Sequence, residues 1–309
     1  MLTILRAGMA TSVQDAGRYH YSQSGISLSG ALDLPAMKTA NLLAGNPENS
    51  AVLEVTFGQA QFIFGRDSWF ALTGAGCEAE LEGKPVWTGW RTFARAGQVL
   101  TLHRALRGVR SYLAINGGFD LPEVMGSVST DLKAGFGGWQ GRYLRDGDQL
   151  PLNPPTREFS HSAGVRQLLW GNRVRVIPGP EYHEFSRGSG QAFWRTGWTL
   201  SAQSNRMGFR LQGRQLQRPC GRELLSHAVL PGTIQVTNGG QPVVLMADAQ
   251  MTGGYPRIGV VISADLYHLA QIRPGEPIHF VHCTHEEALR AKQHQQHVLK
   301  MMEWGLSER

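Results

Sequence analysis

Cysteine is scarce. The three present in 309 residues, Cys77, Cys220 and Cys283, are far apart, odd in number and without a CxxC pair. That excludes a disulfide framework and a cysteine zinc site, and reads as the reduced thiols of a cytoplasmic protein. Long apolar runs are missing too: none approaches the roughly 18 residues of a membrane span, and the opening MLTILRAGMATSVQD turns polar too early for a secretory segment. Lysine is rare. Only five of the thirty basic residues are lysine, which leaves 25 arginines, and these are scattered singly without a basic run or helix face. The net charge of +6 therefore does not point to nucleic acid. Arginine forks suit carboxylates, phosphates and acidic surfaces, so the expected partners are small anions or an acidic protein, with no nucleic acid and no membrane. Nucleotide and metal signatures are also absent. There is no GxxxxGK[ST], and GFGGWQG (135–141) carries Gln140 where the dinucleotide fingerprint needs its third glycine. The eleven histidines show no HExxH spacing, so no metal site is expected.

Glycine is abundant, 38 residues, and falls between short apolar runs such as VLEVTFGQAQFIFG and SYLAINGG. Such alternation with frequent turns reads as antiparallel β-structure. LTILRAG (2–8) and VRVIPGP (174–180) each look like a strand ending in a glycine turn. RDGDQLPL (145–152) and RPGEPIHF (273–280) each look like an acidic glycine turn feeding a strand. This weak repeat predicts a mainly β protein of two barrels with few helices: residues 1–155, residues 165–283, and a C-terminal helix over 284–309, with the Pro-rich NPPTREFSHSAG (153–164) between the barrels; the alternative is one large sheet assembly whose turns are alike by chance. One helix is expected in DLPAMKTANLLAGNP, capped by Asp33, with Pro35 in its first turn and Gly45 and Pro47 as its stop. The C-terminal helix opens on Thr284 and Glu287, a capping-box spacing, with Ala288, Leu289, Ala291, Val298, Leu299 and Met302 as an apolar stripe.

Four stretches carry more polar chemistry than their turns require. SVQDAGRYHYSQSGISLSGALD (12–33) crowds Gln14, Asp15, Arg18, Ser27, Ser29 and Asp33 around three glycines. It reads either as an Asp15–Arg18 pair fixing a loop or as a platform for an anionic or amide ligand. GSVSTDLKAGFGGWQG (126–141) sets Ser127, Ser129 and Thr130 beside Asp131 and runs into Gly137 and Gly138. No G-x-S-x-G elbow surrounds these serines, so they are expected to cap turns or cradle a ligand, and the glycines to form a plain turn or a phosphate-binding nest. In SNRMGFRLQG (204–213), Arg206 is placed to clamp a carboxylate bidentately or to pair with Glu223 as a strut. DAQMTGGYPRIG (248–259) follows the apolar run PVVLMA and offers Gln250, Thr252, Gly253, Gly254 and Tyr255, which reads as the strand-end rim of a ligand pocket. PAMKT (35–39) has the Met-Lys core of a biotin attachment site, but Lys38 falls inside a capped helix and not at a hairpin tip, so no covalent biotin is expected.

SVQDAGR…GISLSGALD, ANLLAGNPENSAVLEVTFG, SYLAINGGFD, GSVSTDL…GFGG, SNRMGFRL, GTIQV…GGQPVVLMADAQMTGGYP and LAQIRPGE together resemble the biotin-dependent-carboxyltransferase-like family, also called allophanate hydrolase subunit 2-like. The resemblance runs in order from about residue 8 to 280. It implies two cyclophilin-like β-barrels, in line with the repeat. For a free-standing chain of this length it implies one component of an ATP-dependent 5-oxoprolinase. That enzyme cleaves 5-oxo-L-proline to L-glutamate as ATP is hydrolysed to ADP and phosphate. It works as a complex in which this chain meets a B subunit, barrel to barrel, together with an A subunit. ATP with Mg²⁺ is implied for the complex as a whole. Other members imply two alternatives: a non-catalytic antagonist of a kinase inhibitor, and the carboxyltransferase half of a biotin-dependent urea or amide carboxylase. The sequence departs from the family pattern at Asn205, Ala249, Met251 and His20, which weakens any charge-based role at 205 and 249. Under this resemblance Gln14 and Gln250 hydrogen-bond the amide, Arg18 or Arg206 holds carboxylate or phosphate, and Gly137, Gly138, Gly253 and Gly254 allow close backbone approach. Gln235, in GTIQV, joins the candidates. The four loops are expected to converge at one barrel mouth, and no catalytic residue is assigned.

Overall fold

The computed structural model describes every residue except Gly221, Glu308 and Arg309. The chain divides into two compact units. One holds Met1–Tyr19, Ser29–Leu169 and the residues from His297 onward; the other holds His20–Leu28 and Trp170–Gln296. The protein is mainly β, with four α-helices among the described residues.

The first unit is a nine-stranded half-barrel sheet: β1 (Leu2–Arg6), β2 (Ala10–Gln14), β3 (Val52–Thr56), β4 (Gly58–Phe64), β5 (Ser68–Leu81), β6 (Lys84–Val86), β7 (Trp90–Ala94), β8 (Val99–Ile115) and β9 (Gln149–Leu150). Its spine is the pair of long strands β5 and β8. They pair antiparallel from Phe70↔Ile115 to Gly74↔Ser111, slip register, and pair again from Ala79↔Leu102 to Leu81↔Leu100. The slip bends both strands, so each serves two halves of a curved sheet. Alternate residues then face two cores. Ile4, Val13, Leu53, Phe62, Phe64, Phe70, Leu72, Leu100 and Leu113 fill the concave side, each fully buried large side chain contributing about 1.5–3 kcal/mol. Val52, Ala71, Tyr112 and Ala114 pack the other face against Met37, Ala40 and Leu43 of α1 (Leu34–Ala44).

That helix forms as its sequence predicts. Asp33 accepts the Ala36 N–H at 2.9 Å, and Gly45 ends it in the left-handed region. Buried Glu54 roots its entrance to the sheet by accepting the Leu32 N–H at 2.9 Å and the Tyr112 hydroxyl at 2.8 Å. Burial and the neighbouring Glu54 push the Tyr112 phenol well above its ordinary value. The Pro-rich stretch does more than separate two halves. Arg91 donates its N–H to Ala163 at 2.9 Å and Val165 donates to Gly89 at 2.8 Å, so this segment lies along the outer edge of β7 and masks backbone groups that an open edge would expose.

The second unit contains β10 (Arg173–Pro178), β11 (Trp198–Leu200), β12 (Gly208–Gln212), β13 (His227–Ala228), β14 (Thr233–Val236), β15 (Pro242–Leu245), β16 (Thr252–Gly253), β17 (Arg257–Val261) and β18 (Pro277–His282). Seven of these close a barrel in the order β10-β17-β14-β15-β12-β11-β18, while β13 and β16 form a separate two-stranded ribbon. Parallel pairing of β10 with β18, from Arg173↔His279 to Val176↔His282, completes the circuit. α2 (Arg187–Arg195), capped by Ser186, lays Phe193 on Phe280 with ring centroids 4.9 Å apart. Gly188 and Gly190 hide this helix from a reading of the sequence, because glycine disfavours helix interiors. The short α3 (Leu266–Ala270) offers too few residues for a period to show. α4 (His285–Ser307) begins with the expected capping box: Thr284 N–H donates to Glu287 at 2.8 Å and Glu287 N–H returns to the Thr284 hydroxyl at 3.2 Å. Ala288 and Ala291 of its stripe pack on Ile262, Ala264 and Cys283; Leu289 is exposed. All three cysteines are free. No described helix is long and apolar enough to cross a membrane.

Candidate functional site

In the first unit the chain leaves β2 at Gln14 and turns through Asp15. The Asp15 carboxylate, 8% exposed, accepts the Ser127 hydroxyl at 2.7 Å, the Gly17 N–H at 2.8 Å and the Val128 N–H at 2.6 Å. The Ser129 hydroxyl also donates to it, and in turn accepts the Asp15 N–H at 2.9 Å. Arg18 donates through Nε to the Val124 carbonyl at 3.0 Å and through Nη2 to the Ser129 carbonyl, and lies 4.6 Å over the Phe136 ring. Thr130 donates both its N–H and its hydroxyl to the Val13 carbonyl at 3.0 Å. Gln14 donates to the Ser12 hydroxyl at 3.0 Å and the Thr130 carbonyl at 3.3 Å, while its Oε1 is buried with no donor among the described residues.

Two sequence-distant loops are thus locked together by groups that face inward. Gly137 and Gly138 are part of the lock, at φ +71° and +52°. A Cβ on Gly137 would stand 2.2 Å from the Ser129 carbonyl oxygen, and one on Gly138 1.9 Å from the Thr130 hydroxyl, so no larger residue fits. Ser29 is also buried, with its backbone at φ +53°. Ser27, also buried, belongs to the second unit with the rest of residues 20–28.

In the second unit Arg206 meets Asp248, not Glu223. Its Nε and Nη2 reach the two carboxylate oxygens at 2.9 and 3.0 Å, with side chains only 6% and 2% exposed. The Asp248 N–H also donates to the Arg206 carbonyl at 3.0 Å. Sequence reasoning missed this partner and another like it: Glu181 accepts the Arg257 backbone N–H at 3.0 Å, Nε at 2.9 Å and Nη2 at 2.8 Å, which holds the Glu181 carboxyl below its ordinary range. Gln250, Thr252, Gly254 and Tyr255 are exposed. Buried Gln235 donates to the Tyr255 carbonyl at 3.4 Å, and Gly253 lies against its amide. His227, paired with Gly253 in the ribbon, donates from Nδ1 to the Leu225 carbonyl at 3.0 Å, and its Nε2 is buried with no partner among the described residues.

Three of the candidates meet at a cavity of 520 Å³. Glu223, Gly254 and Tyr255 line it with Phe185, Arg218 and Arg222. Glu184 ties the two arginines, accepting Arg218 Nε at 2.7 Å and Arg222 Nη2 at 2.6 Å, and Arg218 holds its carboxyl below the ordinary range. The Arg222 side chain remains 61% exposed. A cavity with a glycine backbone, aromatic walls and a solvent-facing guanidinium can take a small anion. Arg218 and Arg222 carried no sequence signal beyond arginine abundance. Among the described residues, no group of three or more His, Cys, Asp or Glu is placed to hold a metal ion.

Known proteins resemble this chain in both sequence and fold. Residues 24–282 match the family model described as carboxyltransferase domain, subdomain A and B. The chain is 61% identical over 306 residues to the C subunit of the Escherichia coli K12 5-oxoprolinase, covering 99% of each. It is 42% identical over 292 residues to the C subunit of the Haemophilus influenzae 5-oxoprolinase, covering 94% of each. The crystal structure of the K. lactis urea amidolyase matches with a TM-score of 0.90 at 28% identity, over 97% of this chain and 20% of that one.

Proposed function

The chain belongs to the carboxyltransferase domain family, subdomains A and B, and from that premise we propose that it serves as the C subunit of an ATP-dependent 5-oxoprolinase. The observation that carries this reading is the 61% identity, over 99% of both chains, to the C subunit of the E. coli enzyme. The proposal includes the partners that this role calls for, the A and B subunits, and a cytoplasmic location.

The reaction explains what such a component must do. A lactam carbonyl resists attack because its nitrogen donates into it and leaves poorly. Moving a phosphoryl group onto the amide oxygen removes both obstacles, and ATP supplies that group when bound. The protein's share is positioning and charge. The 520 Å³ cavity falls within the ~300–1,000 Å³ of small-molecule sites. In this reading Arg222 holds a carboxylate or phosphate oxygen, Glu184 keeps the two guanidinium groups in register, Gly254 admits close backbone approach, and Tyr255 and Phe185 shield the ligand from water. Magnesium, for which this chain gathers no cluster of its own among the described residues, would arrive coordinated by phosphate oxygens.

Reconstitution tests the proposal. The chain, purified with the A and B subunits and supplied with ATP, Mg²⁺ and 5-oxo-L-proline, is expected to yield glutamate and ADP in equal amounts, and leaving out this chain is expected to abolish both. Turnover unchanged by its omission would overturn the assignment.

A further inference from the structure

We propose that the first unit carries a second, separate site: a small aromatic cavity that binds an alkylammonium group. It is formed where the Pro-rich segment after β9 folds against the sheet, and it has a volume of 250 Å³. Three rings shape it. Trp69 lies 5.2 Å from Phe93 at 55° and 5.8 Å from Phe159 at 77°. Two carboxylates, Asp67 and Glu158, share the lining with Arg157.

The carboxylates are available. Both residues are exposed. Asp67 uses one oxygen to accept the Ala96 N–H at 2.8 Å, and Glu158 makes no hydrogen bond or ion pair among the described residues. The aromatic surface already accepts cations: the Arg91 guanidinium lies 3.8 Å over Phe159 and that of Arg157 5.4 Å from it. Both arginines thus face Phe159, which leaves Trp69 and Phe93, in the same lining as Asp67 and Glu158, as the rings offered to a further cation. An aromatic box with anionic groups at its edge is the chemistry that selects ammonium over neutral ligands.

Volume narrows the choice. At ~30 Å³ per water the cavity has room for roughly eight waters. That is far too small for a nucleotide and suited to a cation of about five to eight heavy atoms, either a free alkylamine or the end of a lysine side chain on another polypeptide. This site lies outside the proposed catalytic reading and does not depend on it.

The test is binding to the full chain, with no turnover involved. Tetramethylammonium, n-butylammonium and Nα-acetyl-lysine amide would be titrated alongside the neutral isosteres tert-butanol and n-butanol, followed by calorimetry and tryptophan fluorescence. Saturable binding on the order of millimolar is expected for the cations, at least about tenfold tighter than for the neutral isosteres. D67N/E158Q changes only exposed side chains and is expected to melt like the parent while losing about tenfold in affinity; W69F is expected to remove most of the fluorescence response. Equal binding of n-butylammonium and acetyl-lysine amide points to a free amine, and binding of the lysine amide alone to a side chain presented by a protein. Either supports the site. No saturation at tens of millimolar, equal binding of the neutral isosteres, or undiminished affinity in D67N/E158Q would overturn it.

Discussion

Asp15 in the first unit and Asp248 in the second are both withdrawn from water, at 8% and 3% exposure, yet they meet opposite kinds of partner. Asp15 is satisfied by two serine hydroxyls and two backbone amides. Asp248 faces the Arg206 fork. The second unit repeats its solution: Glu181 meets Arg257, Asp265 meets Arg175, and Glu184 meets Arg218. The difference shows what each arrangement specifies. Neutral donors must each point at a particular lone pair, so the Asp15 set fixes the shape of two loops. A guanidinium–carboxylate pair balances charge in a poorly screened interior and fixes a distance and a plane. The arginine-rich composition, which read as a taste for outside anions, serves in good part to hold the protein's own carboxylates.

The largest effect is expected at Arg206. Replacing it by alanine leaves the Asp248 carboxylate buried without its cation, and a loss of about 3–5 kcal/mol is expected in denaturant unfolding. Removing both charges in R206L/D248L is expected to restore most of that stability. If the double variant were as unstable as R206A, charge balance would not be what the pair contributes.

Asp15→Asn is the matching change in the first unit, and its effect is expected to be smaller. The amide keeps one acceptor and loses the other, so donors among Ser127, Ser129, Val128 and Gly17 go unpaired, at about 1–3 kcal/mol. Because the donors are neutral, no uncompensated charge remains. The expected signature is local: faster amide exchange over residues 127–130, with protection of the second unit unchanged. Equal loosening of both units would mean that the Asp15 set does more than fix the shape of its two loops.

Much of the fold could be read from the chain. The caps of α1 and α4 are local events, in which a side chain meets an amide three residues away, so Asp33, Gly45, Thr284 and Glu287 declared them directly. The β character followed from alternation. Partnership did not follow, since it depends on register between strands. Pairing of β12 with β15 places Gly208 opposite Leu245, and only an extension of that register brings Arg206 to Asp248, although Glu223 is nearer in sequence. Ser127 and Ser129 reach Asp15 across more than a hundred residues. The cavity shows the same limit. Gly254 and Tyr255 stood out because two glycines and a phenol exceed what a turn needs, whereas Phe185, Arg218 and Arg222 come from other segments and had no pattern to mark them.

The finest probe is acid titration of Glu181. Arg257 holds its carboxyl below the ordinary 4.5 in the folded protein. Near that pH the unfolded chain binds a proton that the folded chain refuses, so stability rises with pH across the window. The contribution is fully present above about pH 4.5 and is lost as pH falls through the lower folded value. Glu181→Gln has no charge to lose. Melting temperatures of parent and variant, measured from pH 7 down to pH 3, are therefore expected to show the parent ahead at neutral pH and the gap closing below about 4.5. Because the Arg257 side chain is 24% exposed, the gap is expected to stay within about 1 kcal/mol, well under the effect of breaking the more deeply buried Arg206–Asp248 pair. A gap that widened on acidification would mean that Glu181 is held by something other than its arginine.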